Sequence, residues 1–123
     1  AAKIEREWPE VLIQSVEANM ANGMRIGDKL PVRVTVALGG LSHEDIEVEI
    51  CHGRLEEKGE LTDIHIVDLE FKETIAGAAV YEGILPCETT GQRGFMARVL
   101  PSRVGMPHPF HLRKIKWWDG WAG

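Results

Sequence analysis

Cysteine is scarce in this chain: Cys51 and Cys87 are the only two among 123 residues. Two thiols are too few for a disulfide scaffold, and they fit a reducing compartment. A basic excess is missing as well. The 14 Lys and Arg face 19 Asp and Glu, for a formal charge of −5. That is the wrong sign for a duplex or an anionic bilayer, so neither nucleic acid nor membrane is an expected partner. No apolar run exceeds a handful of residues, which leaves no room for a spanning helix. Residues 1–10 lack the apolar stretch of a signal peptide, and the expected location is cytoplasmic. There is no repeat of fixed period and no low-complexity tract.

What is present is an ordinary globular mixture, 44% apolar and 27% charged, on one domain's length of chain. The 13 glycines and 6 prolines fall at fairly even intervals, and between them the apolar period is two. Over residues 30–38, Leu30, Val32, Val34, Val36 and Leu38 share one face, while Pro31, Arg33, Thr35 and Ala37 share the other. Residues 44–52 repeat this, with Ile46, Val48 and Ile50 inward and Asp45, Glu47 and Glu49 in a row outward. That row reads as a solvated face that discourages edge pairing.

Residues 11–17, 78–86 and 94–100 read as further strands, the last with Phe95, Ala97 and Val99 on one face. Residues 63–72 also read as a strand. Its apolar parity switches from Ile64 and Ile66 to Val67, Leu69 and Phe71, which suggests a bulge near Ile66–Val67. A turn at His52-Gly53 and a short strand over 54–57 are expected next to it. Asn22-Gly23, Gly27-Asp28, Gly39-Gly40, Lys58-Gly59, Ala76-Gly77 and Thr90-Gly91 supply turn chemistry. Six or seven short strands so punctuated predict an all-β, immunoglobulin-like antiparallel sandwich. The expected organisation is a linker or helix remnant at 1–10, the sandwich at 11–104, and a Trp-rich tail at 105–123.

Signatures of self-contained chemistry do not appear. There is no Gly-x-Ser-x-Gly elbow around Ser15, Ser42 or Ser102. Cys51 and His52 are adjacent, so on a strand they point to opposite faces, and Cys51 reads as a small apolar residue. His43, His52, His65, His108 and His111 form no metal spacing, and Pro109 separates the last two. Gly91-Gln92-Arg93-Gly94 precedes a strand, not a helix, and so reads as a hairpin turn. No catalytic, cofactor-binding or metal residue is expected here.

The tail holds three of the four tryptophans, Trp117, Trp118 and Trp121. Flat indole faces stack on sugars, with Asp119 and Lys116 beside them for hydroxyls. Indoles also anchor docking onto a neighbouring domain, the reading favoured here because they bury so much area.

Two stretches resemble α-glucan (glycogen/maltodextrin) phosphorylases of bacteria and archaea. The first is Leu38-Gly39-Gly40-Leu41-Ser42-His43-Glu44-Asp45-Ile46-Glu47-Val48-Glu49-Ile50, with His43 where that family has proline. The second is Tyr81-Glu82-Gly83-Ile84-Leu85-Pro86, then Gly91, then Gly94-Phe95-Met96-Ala97-Arg98-Val99-Leu100-Pro101. Trp8 and Ile115-Lys116-Trp117 fit the ends of the segment, whereas residues 105–113 and 118–121 depart from it. The resemblance implies an accessory C-terminal domain cut from a longer enzyme. That parent would use pyridoxal 5′-phosphate to phosphorolyse α-1,4-glucan to glucose 1-phosphate. None of Lys3, Lys29, Lys58, Lys72, Lys114 and Lys116 lies in a cofactor motif, so no cofactor is expected in this chain. The implied partner is the catalytic body of the parent, with α-glucan second. A carbohydrate-binding module and an unrelated dimerisation sandwich are the alternatives.

Overall fold

Strand alternation decides the layout. A computed structural model of the chain describes residues 6–18, 29–86, 93–102 and 116–117. After a single 3-10 turn at Trp8–Glu10, the chain enters β1 (Leu12–Ala18) and then β2 (Lys29–Ala37). In β2, Leu30, Val32, Val34 and Val36 are all buried, as their shared parity predicts. A second 3-10 turn, His43–Asp45, leads into β3 (Ile46–Leu55). There follow β4 (Leu61–Asp68), β5 (Glu70–Ile75), β6 (Ala78–Pro86), β7 (Arg93–Pro101) and the two-residue β8 (Lys116–Trp117).

The strands form two antiparallel sheets, ordered β1-β2-β6-β5 and β4-β3-β7-β8. Their inner faces share one core, in which Val34, Val36, Ile50, Ala97 and Val99 have no exposed surface. Burying a Val or Ile side chain contributes roughly 1.5–3 kcal/mol, and these β-branched residues suit a pleated, half-buried surface. The architecture is therefore an all-β sandwich. No helix among the described residues is long and apolar enough to cross a membrane.

Three local expectations are corrected. Residues 63–72 are not one bulged strand. The chain leaves β4 at Asp68, changes sheets through Leu69 alone, and continues as β5. Leu69 is buried, and its N–H donates to the Val48 carbonyl at 2.9 Å. The parity switch is real but marks the faces: Ile64 and Ile66 point outward, 54% and 52% exposed. Secondly, His52-Gly53 is not a turn, because β3 runs straight through it and takes in residues 54 and 55 of the expected separate strand. The register slips between His52 and Arg54, and there the Thr62 carbonyl approaches so closely that a Cβ on residue 53 would collide with it. Thirdly, the outward carboxylates are not one solvated row. Asp45 sits in the 3-10 turn and accepts from the Ser42 N–H at 2.9 Å, while Glu49 is only 3% exposed.

The Gly39-Gly40, Lys58-Gly59 and Ala76-Gly77 turns are present. At Ala76 (φ 50) and Gly77 (φ 82) both central residues are left-handed, as a two-residue hairpin of matching twist requires. The turns expected at Asn22-Gly23, Gly27-Asp28 and Thr90-Gly91 lie outside the described residues.

Candidate functional site

Of the three tail tryptophans, Trp117 lies on β8, paired in register with Arg98 of β7. Trp118 and Trp121 lie outside the described residues. Trp117 thereby joins a row that crosses the whole sheet: Asp68 is opposite Glu49, Glu49 opposite Arg98, and Arg98 opposite Trp117. Inside that row the Arg98 Nε donates to Glu49 Oε1 at 2.7 Å, with side-chain exposures of 17% and 4%. Charges on the outer face of a sandwich usually sit in water, so this pair marks a covered patch. Cys51, two residues along β3, is buried there too. Burial pushes its thiol above the ordinary value, with the Arg98 guanidinium pulling the other way and Glu49 reinforcing the rise. A neutral, shielded thiol is a poor nucleophile.

A second polar cluster fastens the turn before β3 to the first sheet. The Tyr81 hydroxyl donates to the His43 carbonyl at 3.2 Å, and the His43 ring stacks on Phe71 with centroids 3.7 Å apart. Burial drives the Tyr81 phenol well above its ordinary value. These contacts tie the 3-10 turn to β5 and β6, and they involve the histidine that stands where the resembled family has proline.

The outer face of β1-β2-β6-β5 carries an open depression lined by Glu17, Arg33, Asp68, Glu70, Lys72 and Glu82, among others. Its two cations are engaged. Arg33 bonds Glu82 at 2.9 Å and Lys72 bonds Glu70 at 3.2 Å. Pyridoxal phosphate needs a lysine for its aldehyde and cations or N–H groups for its phosphate. Lys29, Lys58 and Lys72 are all exposed, and the depression's four carboxylates outnumber its two cations. The described residues do not fit that cofactor. Among them no group of three or more His, Cys, Asp or Glu is placed to hold a metal ion.

Sequence reasoning missed the Glu49–Arg98 pair and the exposed apolar residues Leu12, Ile64, Ile66, Ile75 and Ile84, each more than half exposed. The signal for the first was a lone outward Arg on β7 facing an acidic strand. For Leu12 it was parity, since Leu12 falls between the inward Val11 and Ile13.

Residues 8–119 match the family model described as glycogen phosphorylase C-terminal domain. Over 125 aligned residues the chain is 31% identical to the maltodextrin phosphorylase of Thermococcus litoralis, covering 94% of this chain and 14% of that protein. It is 28% identical over 101 residues to the glycogen phosphorylase of Mycobacterium bovis, covering 80% of this chain and 12% of that protein. The glycogen phosphorylase of Mycobacterium tuberculosis matches to the same extent.

Proposed function

Because the chain belongs to the glycogen phosphorylase C-terminal domain family, we propose that it is a non-catalytic accessory domain that docks on the catalytic body of an α-glucan phosphorylase and stabilises it. The observation that carries this reading is the extent of the match. Nearly the whole chain aligns with only 14% of a maltodextrin phosphorylase, and that small part has a core of its own. The large apolar side chains left on its outer faces suit a docked domain.

On this reading the parent cleaves α-1,4-glucan with phosphate to give glucose 1-phosphate. Pyridoxal 5′-phosphate then belongs to the catalytic body, and the location is cytoplasmic. We also read the strand order as immunoglobulin-like. Lettered in chain order with β4 as C′, the sheets become ABED and C′CFG, the constant-type order with one added strand.

The test has two arms. The purified 123-residue chain, given maltodextrin, phosphate and pyridoxal phosphate, should release no glucose 1-phosphate; release would overturn the non-catalytic role. Deleting the domain from the full phosphorylase polypeptide should lower its melting temperature. An unchanged melting temperature with unchanged phosphorolysis would overturn docking and stabilisation.

A further inference from the structure

The outer face of β1-β2-β6-β5 changes character along its strands. At one end the register pairs Leu12 with Ala37, Ala37 with Ala78, and Ala78 with Ile75. One row thus crosses all four strands without a polar side chain. Leu12 is 61% and Ile75 is 55% exposed; between them lie the small side chains of Ala37, half-buried, and Ala78, 7% exposed. The next row, Ser15, Thr35, Val80 and Glu73, is mixed. The third, Glu17, Arg33, Glu82 and Glu70, is entirely charged. A polar border beside an apolar strip is the arrangement of a surface that another surface covers.

The chain's own attachment says what lies over that strip. In a C-terminal domain the rest of the polypeptide comes before it, and here it arrives through Trp8–Glu10, at the same end as the apolar row. The lead-in is pinned there. The Trp8 indole is buried, the Val11 N–H donates to the Trp8 carbonyl at 3.0 Å, and the Gly40 N–H donates to the Glu7 carboxylate at 2.9 Å. Gly40 belongs to the turn that follows Ala37, and that turn is held to the β5–β6 hairpin by Leu38 N–H to Gly77 carbonyl at 3.5 Å. A body attached through a lead-in fixed at that end meets that end of the domain at raised effective concentration. Two rivals lie farther from the lead-in: Ile64 and Ile66 on the other sheet, beside Gly53 and Cys51, and Ile84, opposite Pro31 beyond the charged row.

The geometry points to the row Leu12, Ala37, Ala78 and Ile75 as the face on which the preceding body of the phosphorylase sits. This assignment depends on the accessory-domain reading above. Hydroxyl-radical footprinting read by mass spectrometry tests it directly, on the 123-residue chain and on the full phosphorylase polypeptide that carries it. Leu12 and Ile75 should be labelled in the isolated chain and lose their labelling in the full polypeptide, while Ile64 and Ile66 stay labelled in both. Protection of Ile64 and Ile66 with Leu12 and Ile75 unchanged would overturn the face and leave the docking reading standing, as would protection of both pairs. Labelling unchanged throughout would overturn both. Concentration-dependent protection of Leu12 and Ile75 in the isolated chain would assign the row to a second copy instead.

Discussion

Replacing Arg98 should unsettle this sandwich far more than replacing another paired surface arginine. Arg98 and Arg33 make similar contacts, 2.7 Å to Glu49 and 2.9 Å to Glu82. Their settings differ. Side-chain exposures are 17% and 4% in the first pair, 53% and 36% in the second. Removing one partner from a buried pair takes a direct counter-charge from the other, at a cost of about 3–5 kcal/mol. An exposed pair contributes at most about 1 kcal/mol after screening and side-chain entropy. Thermal melts followed by circular dichroism should therefore show Arg98→Ala losing at least ~10 °C and Arg33→Ala less than ~5 °C. Arg98→Met separates charge from packing, because it keeps an apolar stem over the sheet. It should lose nearly as much as alanine. Equal melting temperatures for Arg98→Ala and Arg33→Ala, or full recovery with methionine, would refute a role for the buried charge.

Other expectations follow from single residues. Gly53→Ala should cost about 1–3 kcal/mol in urea denaturation, because its Cβ meets a backbone carbonyl that cannot swing aside; a neutral substitution would disprove the close approach. Ile50→Ala should cost about 2–5 kcal/mol, since the side chain has no exposed surface and its loss leaves a cavity; a loss below that of an exposed Ile84→Ala control would contradict the core placement. Stability should also fall in alkali. Folding raises the affinity of the Cys51 thiol and the Tyr81 phenol for their protons, so neither contributes a slope below the ordinary thiol value of 9.0. As pH rises past that value, and past the ordinary phenol value of 10.0, the unfolded chain releases these protons first and the folded state loses ground. Cys51→Ala and Tyr81→Phe should each flatten that decline in urea titrations at stepped pH, and an unaltered slope in both would sink the explanation.

The layers were legible because period-two patterning survives wherever one face is buried. Residues 30–38, 46–50 and 95–99 announced their inward sets, and all of those side chains are in the core. Ala78–Pro86 has the expected bounds. The misreadings share a cause: parity says that a face changes but not why. At residues 63–72 the change accompanies a switch of sheets, which depends on which strands pair, and local pattern carries no such information. Gly53 reads as a turn in the sequence because glycine permits both a turn and a close backbone approach, and only the partner strand selects between them. Alternation places Glu49 outward, toward solvent. Its burial comes from what a distant strand, β7, sets against it. The apolar row is hidden for the same reason, since Leu12 and Ile75 become neighbours of one strip only through two intervening strands.

Leu69 rivets the two layers. Its backbone is hydrogen-bonded to β3 in one sheet, while its side chain fills the space over Gly83 where a Cβ would otherwise stand in the other. With one residue bridging β4 and β5, neither layer can slide or peel far without breaking both grips. Amide exchange in the two sheets should therefore proceed as a single cooperative opening, with Val34 and Ile50 reporting the same free energy although they belong to different layers.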